Sequence, residues 1–133
     1  MHDPRTELAA QTLRQRGRLR LRVTGTSMLP SVLPGDVVFV RRCDGGAMQC
    51  GELVLFQRAQ RLYVHRVVGR DGAALVTQGD ANPQCDGPVQ PSEFLGRVVR
   101  QLRGGTAFRP LQQPQGVARA AAALFRRSSR ASR

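Results

Sequence analysis

The sequence predicts a mainly β fold of coiled antiparallel β-sheets, with one short helix at the N-terminus and a flexible or helical tail at the C-terminus. Three observations carry that expectation. Fourteen Gly and eight Pro in 133 residues fall between short apolar runs, as the turns of a sheet protein require. Several of those runs alternate polar and apolar residues with the period of a strand. Aromatic residues make up only 5% of the chain, with no Trp, so the core has to come from Val and Leu. A chain of this length supports one core.

Taken in order, residues Thr6 to Arg16 predict a helix in which Thr6 caps, Glu7 sits in the first turn, Leu8, Ala9 and Leu13 share a face, and Gly17 stops it. RLRLRV follows as a strand with Arg18, Arg20 and Arg22 on one face and Leu19, Leu21 and Val23 on the other. GTSMLPSVLPGD, from Gly25 to Asp36, is the loop that leads to the strand DVVFVRR. ELVLFQR and RLYVHRVVGR predict a hairpin around Arg58 to Gln60, and Asp71-Gly72 turns the chain into AALVTQ. After the loop GDANPQCDGPVQPSE, FLGRVVRQL supplies a last strand. Beyond Gly104, RPLQQPQG reads as a linker and VARAAAALFRRSSRASR as a basic tail. Three segments result: a helix over 1–17, a main domain over 18–103 and a linker with tail over 104–133. The apolar run Ala120 to Phe125 is far below the ~20 residues of a membrane span, so a solvated tail or a short helix resting on a membrane surface or membrane partner is expected. The N-terminal stretch carries acids early and has no uninterrupted apolar run, so it reads as neither signal peptide nor span, which suits a cytoplasmic or membrane-peripheral protein.

The net charge of +12 is entirely arginine: none of the 21 basic residues is a lysine. No aromatic residues interleave with the arginines as a stacking platform needs, so specific nucleic-acid binding is not expected and a solvated basic surface is. Cys43, Cys50 and Cys85 include no CxxC pair and cannot by themselves build a four-ligand zinc site or a disulfide framework. Neither a metal nor a cofactor is expected.

The chemistry turns on Ser27. A serine hydroxyl needs a base within hydrogen-bond reach and donors for an oxyanion. Gly25 would let the backbone turn closely beneath Ser27, whose own amide could be one donor. Lysine is excluded as base by composition and His2 lies at the terminus, which leaves His65 inside a strand. A carboxylate would orient the imidazole, and the loop GDANPQCD offers both Asp80 and Asp86.

GTSMLPSVLPGD, YVHRVVG, TQGDANPQCD and LGRVV, in that order, resemble the successive boxes of type I signal peptidases and their relatives, over Val23 to about Arg100. In that superfamily the bacterial signal peptidases and self-cleaving SOS repressors carry lysine where this chain has His65, whereas the endoplasmic-reticulum-type branch carries histidine. The resemblance to that branch implies Ser27 as nucleophile, His65 as general base and Asp86 as the residue that orients it, with Asp80 of the Gly79-Asp80 pair holding the loop and serving as the alternative. Met28 and Pro30 match positions that shape the serine turn and Asp36 the acid that closes it, while Asp80, at a strand end, is suited either to accepting backbone N–H bonds or to pairing with Arg66. Where many relatives place a second oxyanion donor this chain has Gly25, so a backbone amide or the Thr26 hydroxyl would serve. The implied activity is that of a serine endopeptidase acting on an extended peptide or protein segment with small residues before the cut, bound by adding a strand to a sheet edge. Its rivals are a self-cleaving regulator, which expects lysine at position 65, and a non-catalytic binding module on the same fold.

Overall fold

The computed structural model describes residues 4–112; the tail expected beyond them lies outside the described residues. Helix α1 (Pro4–Arg16) is followed by strands β1 (Arg18–Arg22), β2 (Val37–Arg41), β3 (Leu53–Arg58), β4 (Arg61–Asp71), β5 (Ala74–Gln78), β6 (Phe94–Arg103) and β7 (Thr106–Phe108). All pairings are antiparallel, in one seven-stranded sheet of order β1-β2-β6-β3-β4-β5 with β7 beside β6. The mainly β class with one N-terminal helix is thus as expected. Strand β7, three residues just past the change of composition at Gly104, lay below the length at which alternation can be read.

α1 starts at Pro4, two residues before the expected cap, because proline's fixed φ and missing N–H suit the first helical turn. Thr6 is therefore inside the helix: it is buried, and its hydroxyl donates to the Gln60 carbonyl at 2.8 Å, tying α1 to the β3–β4 hairpin. Ala9, Ala10 and Leu13 form the buried face, while Leu8, expected with them, is 64% exposed. Gly17 ends the helix at φ +74°, donating to the Leu13 carbonyl at 2.9 Å.

Two apolar clusters occupy opposite faces of the sheet. On one face Val38, Val40, Leu53, Leu55 and Val98 pack with Leu13 of α1 and with Met28 and Val32 of the loop before β2. On the other, Val54, Phe56, Val67 and Leu75 are covered by Met48 and Val89. β3, enclosed on both sides, reads as a continuous apolar run for that reason. β1, at the sheet edge, keeps the exposed and half-buried alternation of RLRLR. The ladder shifts register at Phe39/Val40, Leu55/Phe56 and Val67/Gly69, irregularities of the kind that bend and twist strands.

The loop before β2 is closed by Asp36. Its buried carboxylate accepts from the Leu33 N–H at 2.9 Å, from Gln101 at 2.8 Å and from Arg103 at 2.8 Å. Burial alone would raise the Asp36 carboxyl; the bonds from Arg103, Leu33 and Gln101 outweigh it and hold it below its ordinary value. A carboxyl depressed in the fold contributes stability above its unfolded pKa, and that contribution is lost as pH falls through the folded one. Asp36→Asn should therefore lower stability at neutral pH by about 1–3 kcal/mol and flatten part of the loss that the parent shows below about pH 4. Urea melts across the acid range check this; parallel curves for the two proteins would contradict it.

Candidate active site

Beyond β1 the chain stays against the entry to β2, with the Val23 N–H donating to the Asp36 carbonyl at 2.8 Å and the Gly35 N–H to the Val23 carbonyl at 2.7 Å. It then turns through Ser27 to Ser31: the Leu29 N–H bonds the Thr26 carbonyl at 3.1 Å, the Val32 N–H bonds the Met28 carbonyl at 2.9 Å, and the Leu29–Pro30 bond is cis. Met28 is buried in the core and its sulfur receives the Asp80 N–H at 3.3 Å, while Ser27 stays half-buried at the surface of the turn.

His65 lies opposite Val54 in the middle of β4, its ring flanked by Phe56 and Tyr63 at centroid distances of 5.8 and 5.7 Å. Its Nε2 is 3.0 Å from the Ser27 Oγ, and its Nδ1 is 2.6 Å from the Asp86 Oδ2. The Asp86 N–H donates to the Thr77 carbonyl at 2.8 Å and the Thr77 hydroxyl to the same Asp86 oxygen at 2.6 Å, so both ends of this residue are fixed to β5. Thr77 is fully buried. Sequence reasoning did not single it out, although strand alternation puts it on the face of Val67, its partner, and so on that of His65.

The second loop aspartate is engaged elsewhere. Asp80 takes two bonds from Arg66, Nε to Oδ1 at 2.8 Å and Nη2 to Oδ2 at 2.7 Å, and one from the Ser31 hydroxyl at 2.6 Å. Arg66 is fully buried, and its Nη1 donates to the carbonyls of Gly51 and Leu111 at 2.7 and 2.5 Å. Adjacent on one strand, His65 and Arg66 point to opposite faces and meet different aspartates.

The close backbone approach expected at Gly25 occurs at Gly79. Gly25 has no left-handed φ, and a Cβ there would meet nothing within 4 Å. A Cβ on Gly79 would come within 2.6 Å of the Ser27 carbonyl and 3.2 Å of His65 Nε2. Glycine here lets the loop after β5 lie against the serine turn, where the Ala81 N–H donates to the Ser27 carbonyl at 2.9 Å.

A groove of about 430 Å³ opens beside Ser27, between residues 21–25 on one side and 61–64 on the other. Its walls are two strand edges: β1 is the last strand of the sheet, and β5 pairs with β4 only from Arg66 onward. A larger cavity of about 600 Å³ touches none of Ser27, His65 and Asp86. Cys43, Cys50 and Cys85 are free thiols; burial pushes Cys43 and Cys85 up, away from the reactive thiolate.

The two aspartates should separate in stability measurements. Breaking a fully buried ion pair costs about 3–5 kcal/mol, so Asp80→Asn should lower urea stability by that order. Asp86→Asn, at a partly exposed carboxylate that keeps its backbone bond to Thr77, should cost about 1 kcal/mol. Equal losses would contradict this division.

A search of curated proteins found no match. The family model described as Peptidase S24-like matches residues 2–99, a span that contains the serine turn, β4 and the loop from Gly79 to Asp86. With most of its length matched, the chain belongs to the Peptidase S24-like family and carries a serine peptidase domain.

Proposed function

We propose that the chain is a serine endopeptidase in which Ser27 is the nucleophile, His65 the general base and Asp86 the residue that orients it. The observation that carries this reading is the pair of contacts on one imidazole, 3.0 Å from Nε2 to the Ser27 hydroxyl and 2.6 Å from Nδ1 to Asp86. With Nδ1–H donating to the carboxylate, Nε2 keeps its lone pair for the serine proton. Ser27 Oγ attacks the substrate carbonyl as His65 takes its proton. The imidazolium then protonates the leaving amine, leaving an acyl-enzyme that water, activated by the same histidine, hydrolyses. Asp86 stabilises the imidazolium formed in each half of the reaction. The Ser27 N–H donates to no other group among the described residues and serves the oxyanion; the second donor is a neighbouring amide or the Thr26 hydroxyl.

The substrate is an extended peptide or protein segment that lies in the groove and adds a strand to its edges. By resemblance, a histidine base favours the endoplasmic-reticulum-type signal peptidases over the self-cleaving regulators, which expect lysine at position 65. No helix among the described residues is long and apolar enough to cross a membrane.

The test is cleavage of a library of extended peptides by the full chain. Ser27→Ala and His65→Ala should each lose activity by about 10⁴-fold or more, and Asp86→Asn by about 10²–10⁴-fold, with melts unchanged enough to show a fold. Thr77→Val should cost a smaller factor, about ten-fold, through a loosened Asp86. Cleavage that survives Ser27→Ala would sink the proposal. Fragments of the enzyme itself, appearing at a rate independent of its concentration, would favour the self-cleaving regulator instead.

A further inference from the structure

The arginine row of β1 is unexplained by the fold. Arg18, Arg20 and Arg22 are exposed, and none has an ion pair among the described residues. Their cross-strand neighbours on β2 are Arg41, Phe39 and Val37, none of them a carboxylate, so Arg18 faces a like charge and Arg20 lies 5.3 Å from the centroid of the Phe39 ring. Like charges directly opposite each other on a sheet are destabilising. Among the described residues, Glu93, Asp86, Asp80, Glu52 and Asp36 are engaged elsewhere, on Arg58, His65, Arg66, Arg97 and Arg103 respectively. One of the three, Arg22, lines the groove beside Ser27, as does the exposed Arg61 of β4, which strand alternation puts on the face of Tyr63 and His65.

A strand added to the free edge of β1 must alternate in step with it. Every second residue of the added strand then lies with Leu19 and Leu21 on the core side, and the others lie beside Arg18, Arg20 and Arg22. Resting on the peptidase reading above, we infer that the substrate is an acidic peptide of defined phase: Asp or Glu at alternate positions, meeting the β1 arginines and Arg61, with uncharged residues between them entering the groove. The row also discourages edge-to-edge association of free strands. That role requires charge alone; substrate recognition requires phase as well.

The experiment uses two peptides of one composition, with glutamates at alternate positions in either of the two phases, and a third with Gln replacing Glu. Cleavage by the full chain gives kcat/KM, and fluorescence anisotropy with Ser27→Ala gives Kd for the same peptides. One phase should be favoured by about three-fold for each glutamate opposite an arginine, about ten- to thirty-fold for three. That preference should collapse near 1 M salt, where the screening length is about 3 Å. Arg20→Glu with Arg22→Glu should abolish the preference and transfer it to a peptide with lysine in the same phase, which a merely misfolded variant would not do. Equal handling of both phases by kcat/KM and by Kd overturns this inference and leaves the peptidase reading in place. Cleavage that persists in Ser27→Ala overturns the peptidase reading. If wild type cuts none of the peptides, the Kd values still decide on phase.

Discussion

The site depends on the ion pair between Arg66 and Asp80. It is fully buried, and a buried pair is tolerable only when its remaining donors and acceptors are filled. Here they are: Asp80 also holds the Ser31 hydroxyl, and Arg66 also holds the Gly51 and Leu111 carbonyls. Through Ser31, and through the Asp80 N–H on the Met28 sulfur, the pair fixes the serine turn to the loop after β5. Through Arg66 it fixes that loop to β4. Three segments far apart in sequence are thus held in one geometry, and His65, the residue before Arg66 on β4, is presented on the opposite face.

The two aspartates of one loop therefore divide their work by solvation. Asp80, fully enclosed, has every oxygen committed to structure. Asp86 is partly exposed, held to β5 by its own N–H and by the Thr77 hydroxyl, and presents Oδ2 to the histidine. In the proposed mechanism Asp86 answers a charge appearing and disappearing on the imidazole, which a carboxylate locked in a bidentate pair with a guanidinium could not also do. The separation of roles follows from Arg66 being next to His65 on a strand, since alternation sends the two side chains to opposite faces.

Much of this was legible in the residues. The apolar periods of β1 to β6 located the strands, and the absence of lysine left His65 as the one base inside the sheet. Alternation put Arg66 on the face opposite His65, and its pairing with Asp80 was one of two roles open to that aspartate, the other being to accept backbone N–H bonds. What escaped depends on packing between distant segments. Gly79, rather than Gly25, is where backbones approach closely, because that contact is with a loop that sequence order places 52 residues away from Ser27. Thr77 looked like any β-branched strand residue; only the path of the loop back to Asp86 gives its hydroxyl a task. Thr6 has a capping residue's chemistry but finds a better acceptor in the Gln60 carbonyl once α1 docks on the hairpin.

A lysine base and a histidine base make different demands on the same fold. An amine becomes a base at neutral pH when burial disfavours its charged form, and it needs no third residue to choose between nitrogens. An imidazole has two, and it works only if one is held as donor while the other is left as acceptor. With His65 proposed as the base, a carboxylate is therefore required on the side away from the serine, at hydrogen-bond distance and fixed in position. Under the proposed mechanism that requirement is met by the bend that brings Asp86 back to β5, by the buried hydroxyl of Thr77 beneath it, and by a second aspartate that takes up Arg66.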